Sequence, residues 1–470
     1  MTPSSISQPG RGAAGARRAA RPGRRAAAGA VAGGLVLAAA FATPGRAAAG
    51  PDPASPAPAT TLAPASPAPT ATAGLDPESP SRTTAAGLDR AELRRTLDAV
   101  HEAGMYGLYS QARDGGQVWR GASGVADVVT RRPARPDMRH RVGSITKTFT
   151  SAAILQQVER GRVELDAPVS RYLPGLIPGE RGDRITVRML LNHTSHIGDY
   201  IAGAFPSLLE GSPASLDANR FRRFAPEELA RLGLAAEATG EPGALPGRYS
   251  NTNYVIAGLL LEKVTGEDAE RVITRDVIRR AGLRDTFFPA TPRLPAPSSK
   301  AYESLYGLID PPRDYSVYDM SWASTAGALV STMDDLNRFY RALLRGEVIG
   351  PERLAEMRAT VPVLAGGGHV DYGLGLYTVE LPCGRFWGHD GGVFGMTTQS
   401  LVSEDGRREL SFGLNLAKYQ RIGEDGTIEP SPIDYALGDH MMVALCGQVP
   451  QARAAQPLLP LAVDRMPVRR

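Results

Sequence analysis

Between Gly87 and about Gly447 the hydrophobic and polar positions follow two periods. "AELRRTLDAVHEAG" has helical spacing and stops at a glycine, and "MYGLYSQARDGGQVWRGASGVADV" then alternates as two strands joined by the "RDGG" turn. The middle reads as helices: "SITKTFTSAAILQQVERG", "ITVRMLLNH", "PEELARLGLAAEA", "NYVIAGLLLEKVTG" and "TMDDLNRFYRALLRG". Alternation returns in "YGLGLYTVEL", "RFWGHDGG", "FGMTTQSLVS" and "RRELSFGLNLA", with "EDGR" as a hairpin turn, before a last helix "IDYALGDHMMVALC". Strands that come in runs, rather than alternating with helices, predict an α+β fold. The expectation is an antiparallel sheet built from N- and C-terminal segments, flanked by helices, with a mostly helical insertion, over residues 87–448.

The ends of the 470-residue chain break this pattern. Residues 1–49 carry seven arginines, no lysine and no acidic residue, and run into "AAAGAVAGGLVLAAAFA" followed by "GRAAAG". That is the layout of an export signal peptide, and the twin arginines at 17–18 and 24–25 leave the Sec and Tat routes open. Residues 50–86 are Pro/Ala/Ser/Thr-rich with few large apolar groups, which reads as a disordered linker, and 449–470 reads as a disordered tail. A secreted or cell-envelope protein follows, with no integral membrane segment once the leader is removed.

The leader's seven arginines take the formal charge from +4 to −3 when they are left out, so the basic balance belongs to the leader and implies no nucleic-acid partner. The only two cysteines, Cys383 and Cys446, form one disulfide in an exported chain or else remain buried thiols.

Three short stretches carry candidate chemistry. In "VGSITK", Ser144 and Lys147 stand one turn apart at a predicted helix start, with Ile145, Phe149, Ala152 and Leu155 as the buried stripe. The positive end of the helix dipole and partial desolvation both favour a neutral lysine there, suited to act as a base. The chain has four lysines and 28 serines, so Ser-x-x-Lys would arise about 0.24 times by chance and proves little alone. In "YSN", placed in a turn before a helix starting near Asn253, Tyr249 can shuttle a proton and Asn251 can hold a substrate carbonyl or the lysine. In "GHDGG", at the end of a strand, the Gly392 N–H is one candidate oxyanion donor and the Ser144 N–H the other.

With these three elements in this order, the chain resembles the penicillin-recognising serine hydrolases, which include class C β-lactamases, serine D-alanyl-D-alanine carboxypeptidases and related esterases. The resemblance covers about residues 88–448 and extends to "VELDAPVSRYLPGL", "ITVRMLLNHTSHIG", "PGRYSNTNYVIAGLLLEKVTG", "SWASTAGALVSTMDDLNRF" and "YGLGLY". Within the family it is most similar to exported actinobacterial-type D-alanyl-D-alanine carboxypeptidases, whose cysteines placed like Cys383 and Cys446 are paired. It implies a beta-lactamase/transpeptidase-like fold and Ser144 as nucleophile, with Lys147 its base. Tyr249 then relays the proton to the leaving amine, while Asn251, His389, Asp390, Gly391 and Gly392 line the substrate site. The expected reaction is acyl-enzyme formation and hydrolysis without metal or cofactor. The expected protein is a monomer acting on a stem peptide, a β-lactam or an ester. Carboxypeptidase activity on peptidoglycan stem peptides is the first expectation; a class C-like β-lactamase or an esterase or other peptidase of the family are the alternatives.

One position departs from the family. Asp390 stands where carboxypeptidase-type members have a hydroxyl residue that helps hold the substrate's terminal carboxylate. An ionised Asp390 in the cleft would repel that carboxylate. Arg385 shares a strand face with Trp387 and His389 but lies roughly 13 Å from His389, too far to compensate. Trp322 either borders the cleft or belongs to the core. The pair His193 and His196 lacks the intervening glutamate of a zinc helix, so a structural role is expected for it.

Overall fold

The computed structural model describes residues 87–365, 368–423 and 428–447. The leader, linker and tail assigned to 1–49, 50–86 and 449–470 lie outside the described residues.

The first helix, α1 (Arg90–Glu102), starts where the Asp89 carboxylate accepts from the Ala91 and Glu92 backbone N–H groups, and it buries Leu93, Leu97 and Val100. The hairpin β1 (Gly107–Asp114) and β2 (Gln117–Asp127) follows, with the short β3 (Arg132–Pro133) beside β2. After a 3-10 turn at Gly143–Ile145 come α2 (Thr146–Glu159), a run of short helices, the two-residue β4 (Gly247–Arg248) and α3 (Asn251–Thr265). Helix α4 (Met333–Leu344) is capped by the Thr332 side chain. The rest of the sheet is β5 (Val361–Ala365), β6 (Gly368–Tyr372), β7 (Tyr377–Leu381), β8 (Gly384–Val393), β9 (Met396–Ser403) and β10 (Arg408–Leu414), before the last helix, α5 (Pro432–Cys446).

These ten strands form one sheet in the order β3-β2-β1-β10-β9-β8-β7-β6-β5-β4. β1 pairs with β10, Asp114 opposite Arg408, so N- and C-terminal segments of the domain meet inside one sheet as the strand pattern predicts. Pairing is antiparallel throughout except at the edge, where β4 lies parallel to β5. That edge strand comes from the helical middle and was not part of the predicted sheet; two residues are too few to show alternation.

Alternating strand residues separate two cores. On one face Leu108, Leu401, Leu410 and Phe412 pack with Leu93 and Leu97 of α1 and Leu437 and Leu445 of α5. On the other, Trp387 and Val402 share a larger core with α2, α3 and α4, where Phe149 and Phe339 stack with centroids 3.6 Å apart. Helix α2 departs from the predicted single stripe, for every residue from Thr146 to Gln157 is buried. A helix packed on all sides selects small or hydrogen-bonded polar residues instead of a polar face: Thr150 donates to Thr325 O at 2.8 Å and Thr148 to Gly375 O at 2.6 Å. Cys383, just before β8, is disulfide-bonded to Cys446 at the end of α5, closing a separation of 63 residues.

Between the sheet and α1/α5, the buried His440 contacts the Thr96 hydroxyl (2.9 Å) and the Ser110 hydroxyl (2.9 Å). Burial pushes His440 down to about 3, and burial likewise pushes His140 to about 3. A histidine whose folded pKa is depressed stabilises the fold fully above its unfolded value, near 6.5, and loses that contribution as pH falls from there toward 3. Urea-unfolding free energies are therefore expected to fall between pH 6.5 and pH 4 by up to about 1.4 kcal/mol per pH unit for each such histidine. His440→Gln is expected to flatten the profile, and an unchanged slope would show that His440 does not titrate between the two states.

Candidate active site

The site is built where α2, α3 and the end of β8 converge. Ser144 lies in the 3-10 turn rather than inside α2, and it is 7 % exposed. Lys147, one turn on, is fully buried; its Nζ donates to Ser144 Oγ at 2.9 Å, to Asn251 Oδ1 at 2.7 Å and to Ala326 O at 2.9 Å. The short helix Ser324–Gly327, from the "SWASTAGALV" stretch, supplies that carbonyl. Ala326 O and Asn251 Oδ1 can only accept, so an amine that gives up a proton keeps its N–H groups on them and turns its lone pair to Ser144. The spacing of Ser144 and Lys147 thus becomes a directed contact between a hydroxyl and a potential base.

Asn251 is the first residue of α3, two residues earlier than the sequence pattern placed the helix start, and this fixes its side chain against the helix end. Its backbone N–H donates to Asp199 Oδ2 at 2.7 Å and its Nδ2 to the same oxygen at 2.9 Å. Half-buried Tyr249 is held by its backbone N–H on Leu364 O (3.1 Å), and its ring lies 4.8 Å from Lys147 Nζ. Behind it, the His193 ring is 4.3 Å from the Tyr249 ring. His193 Nδ1 accepts from the Ser250 N–H (3.2 Å) and faces Asn253 Nδ2 (3.1 Å), which places the ring proton on Nε2. Burial, and then the Lys147 charge, hold His193 well below its ordinary value, so it stays neutral. His196 spends its nitrogens on Thr239 and Ala244, as a structural residue does. Among the described residues no group of three or more His, Cys, Asp or Glu could hold a metal ion.

The third element approaches from the sheet. β7 pairs with β8 only as far as Tyr377 opposite Gly388, so residues 389–393 run on beyond it and pack against the 3-10 turn. The approach is backbone to backbone. A Cβ on Gly391 would lie 1.9 Å from Val142 O and 2.8 Å from Ser144 N, and one on Gly143, whose φ is +54°, would lie 2.7 Å from Gly392 N. Only glycine fits these positions, and the fit lets the backbone of residues 391 and 392 pack directly against that of residues 142–144.

His389 and Asp390 do not face open solvent. His389 is 1 % exposed; its Nδ1 donates to Asp390 O at 2.5 Å, which leaves Nε2 to accept from the Tyr372 hydroxyl at 2.8 Å. Asp390 is fully buried beside Tyr377, whose hydroxyl also meets Gln399. Asp390 therefore does not project into a wet cleft, and position 390 carries no hydroxyl. Arg385 pairs with Glu380 at the far end of β8 and plays no part here. Trp322, 9 % exposed, packs on Phe394 with centroids 4.8 Å apart inside the large core.

Two site residues carry no sequence signal. Asp199 directly follows the stretch "ITVRMLLNHTSHIG", and Tyr372 stands in "YGLGLY", but neither spacing nor residue type marks them as partners of Asn251 and His389.

A family model described as Beta-lactamase matches residues 93–403. Penicillin-binding protein 4* of Bacillus subtilis is 26% identical over 338 residues, 69% of this chain and 71% of that protein. The D-aminopeptidase of Cereibacter sphaeroides is 28% identical over 318 residues, and the match spans 67% of this chain but only 58% of that protein. Among solved structures, a D-stereospecific amidohydrolase from a Streptomyces species superposes with a TM-score of 0.67 at 37% identity, covering 77% of this chain and 99% of that one.

Proposed function

Because the chain belongs to the beta-lactamase family of serine hydrolases, we propose that it forms an acyl-enzyme on Ser144 and hydrolyses amide bonds whose acyl group comes from a D-amino acid. The observation that carries the reading is the contact of Lys147 Nζ with Ser144 Oγ at 2.9 Å, backed by Asn251 Oδ1 at 2.7 Å.

In this reading neutral Lys147 takes the Ser144 proton as Oγ attacks the substrate carbonyl. The N–H groups of Ser144 and Gly392 receive the developing oxyanion. Tyr249, beside Lys147, passes the proton to the leaving amine, and water then cleaves the ester on Ser144. Asn251 keeps Lys147 in place, and His389 supports the tyrosines behind the site. Trp322 acts through the core that braces the loop after β8.

Similarity over nearly the whole length of the Streptomyces amidohydrolase supports the D-configured substrate class. A D-alanyl-D-alanine carboxypeptidase is the narrower form of the same reading. It requires a group to hold a free terminal carboxylate, and the residue at 390 supplies no hydroxyl for that, which favours substrates without one. The arginine-rich leader supports export, and the Cys383–Cys446 disulfide suits an oxidising compartment.

The test compares D- and L-phenylalanine amide, a diacyl-Lys-D-Ala-D-Ala peptide and nitrocefin. Hydrolysis of the D-amide well ahead of the L-amide, with slower D-alanine release and only stoichiometric nitrocefin opening, is expected. Faster D-alanine release would establish the carboxypeptidase, sustained nitrocefin turnover a β-lactamase, and equal D- and L-rates would sink the D-specific reading.

A further inference from the structure

The Asp199 carboxylate is hydrogen-bonded to Asn251, and it joins two elements. Its Oδ2 accepts from both the backbone N–H and the Nδ2 of Asn251, while Oδ1 accepts from the Ile201 N–H at 2.9 Å. Ser250, the residue before α3, gives its helix no side-chain cap, so Asp199 caps α3 from a separate segment of chain.

This arrangement decides which way the Asn251 amide points. A carboxylate can accept on both oxygens and donate on neither, so Nδ2 must face Asp199 and Oδ1 must face Lys147. Turned over, the amide would present N–H groups to the lysine and leave it without its 2.7 Å acceptor. An asparagine at 199 could not do the same work. Its single carbonyl would serve either Ile201 or Asn251, and its own NH₂ would confront the other donor.

We propose that Asp199 is the positioning residue of the Lys147–Asn251 pair: its carboxylate locks Asn251 Oδ1 onto Lys147 Nζ and sets the pH range over which Ser144 is acylated. The inference rests on Ser144 being the nucleophile. Around Lys147 Nζ stand Ser144 on the turn, Tyr249 before α3 and Tyr254 on it (ring 5.6 Å away), neutral His193 on the loop after Leu191, and Asp199. β8 contributes His389, whose ring lies 6.3 Å from that of Tyr249, with Asp390 next to it in sequence and beside Tyr377 of β7; β6 contributes Tyr372, and the short helix contributes the Ala326 carbonyl. Burial raises the Asp199 carboxyl, opposed by the N–H groups of Asn251 and Ile201 and by the Lys147 charge. By reciprocity the Asp199 charge favours the ammonium form of Lys147, so removing it moves the acidic limb of acylation to lower pH.

The experiment measures acylation rate constants with a fluorescent penicillin across about pH 5 to 9 for the wild type, D199N, N251A, the double variant and D199E, with thermal unfolding as a check on folding. D199N is expected to lower the plateau roughly 100-fold, the cost of a displaced catalytic group, and to shift the acidic limb to lower pH. In the N251A background D199N should cost less than about threefold more, because both act through one contact. D199E keeps the charge, so its limb should stay at the wild-type position even with a reduced plateau; this arm holds if D199N fails to fold. An unmoved limb in folded D199N, multiplying losses in the double variant, or a shifted limb in D199E would overturn the inference. Undiminished labelling of S144A would instead remove the nucleophile assignment itself.

Discussion

Ser144→Ala is expected to lower hydrolysis of any accepted amide or ester by roughly 10⁵- to 10⁶-fold, the scale seen when a nucleophile that works as a unit with its base is removed. Ser144 Oγ is the hydroxyl that Lys147 Nζ contacts in the 3-10 turn, and the neighbouring candidate acid–base group, Tyr249, has no such position in the turn. The fold should hardly notice the change: alanine fits the space, and the loss is one hydrogen bond, worth about 1 kcal/mol. Turnover and urea unfolding measured on the same preparation separate the two effects. A variant that retains a few per cent of wild-type turnover would mean that another group attacks.

Gly391→Ala is expected to have the next largest effect, through backbone geometry and not through a reactive group. The new methyl would fall 1.9 Å from Val142 O and 2.8 Å from Ser144 N, and neither atom can swing aside like the tip of a side chain. β8 and the 3-10 turn must part, and if the Ser144 and Gly392 amides form the oxyanion site proposed above, they move out of register with it. The loss of one such donor costs about 10²- to 10³-fold in kcat, and overpacking adds roughly 1–3 kcal/mol of destabilisation. Gly406→Ala serves as the control. It lies in the β9–β10 turn with φ +68° and nothing within 4 Å of a built Cβ, so its cost should be backbone strain alone, with kcat unchanged. Equal activity in Gly391→Ala and the wild type would contradict the close approach of β8 to Ser144.

The sequence was most legible where local chemistry decides structure. Paired glycines at 115–116 and the Ser403–Arg408 turn announced their hairpins, and alternation located β8, β9 and β10 to within a few residues. Ser144, Lys147 and Asn251 were recognisable because three spaced motifs in one order are rare, and the structure brings them within hydrogen-bond reach. What stayed hidden depends on contacts between distant segments. The all-round burial of α2 leaves no hydrophobic stripe to read, so its surroundings are invisible in its own periodicity. The start of α3 at Asn251 is dictated by a carboxylate 52 residues away, Asp199, which no helix-start rule inspects. For Asp390, nothing in its own strand shows what covers it, and Tyr377 and Gln399 supply that cover from neighbouring strands.

Each of these expectations depends on acylation of Ser144 with Lys147 as its base. The most direct measurement is peptide-resolved mass spectrometry of the purified protein after brief incubation with a penicillin, on the wild type and on Lys147→Ala. A covalent adduct on Ser144 is expected in the wild type, and almost none in Lys147→Ala over the same interval. An adduct on any other residue, or equally fast modification of Ser144 without Lys147, would contradict that mechanism.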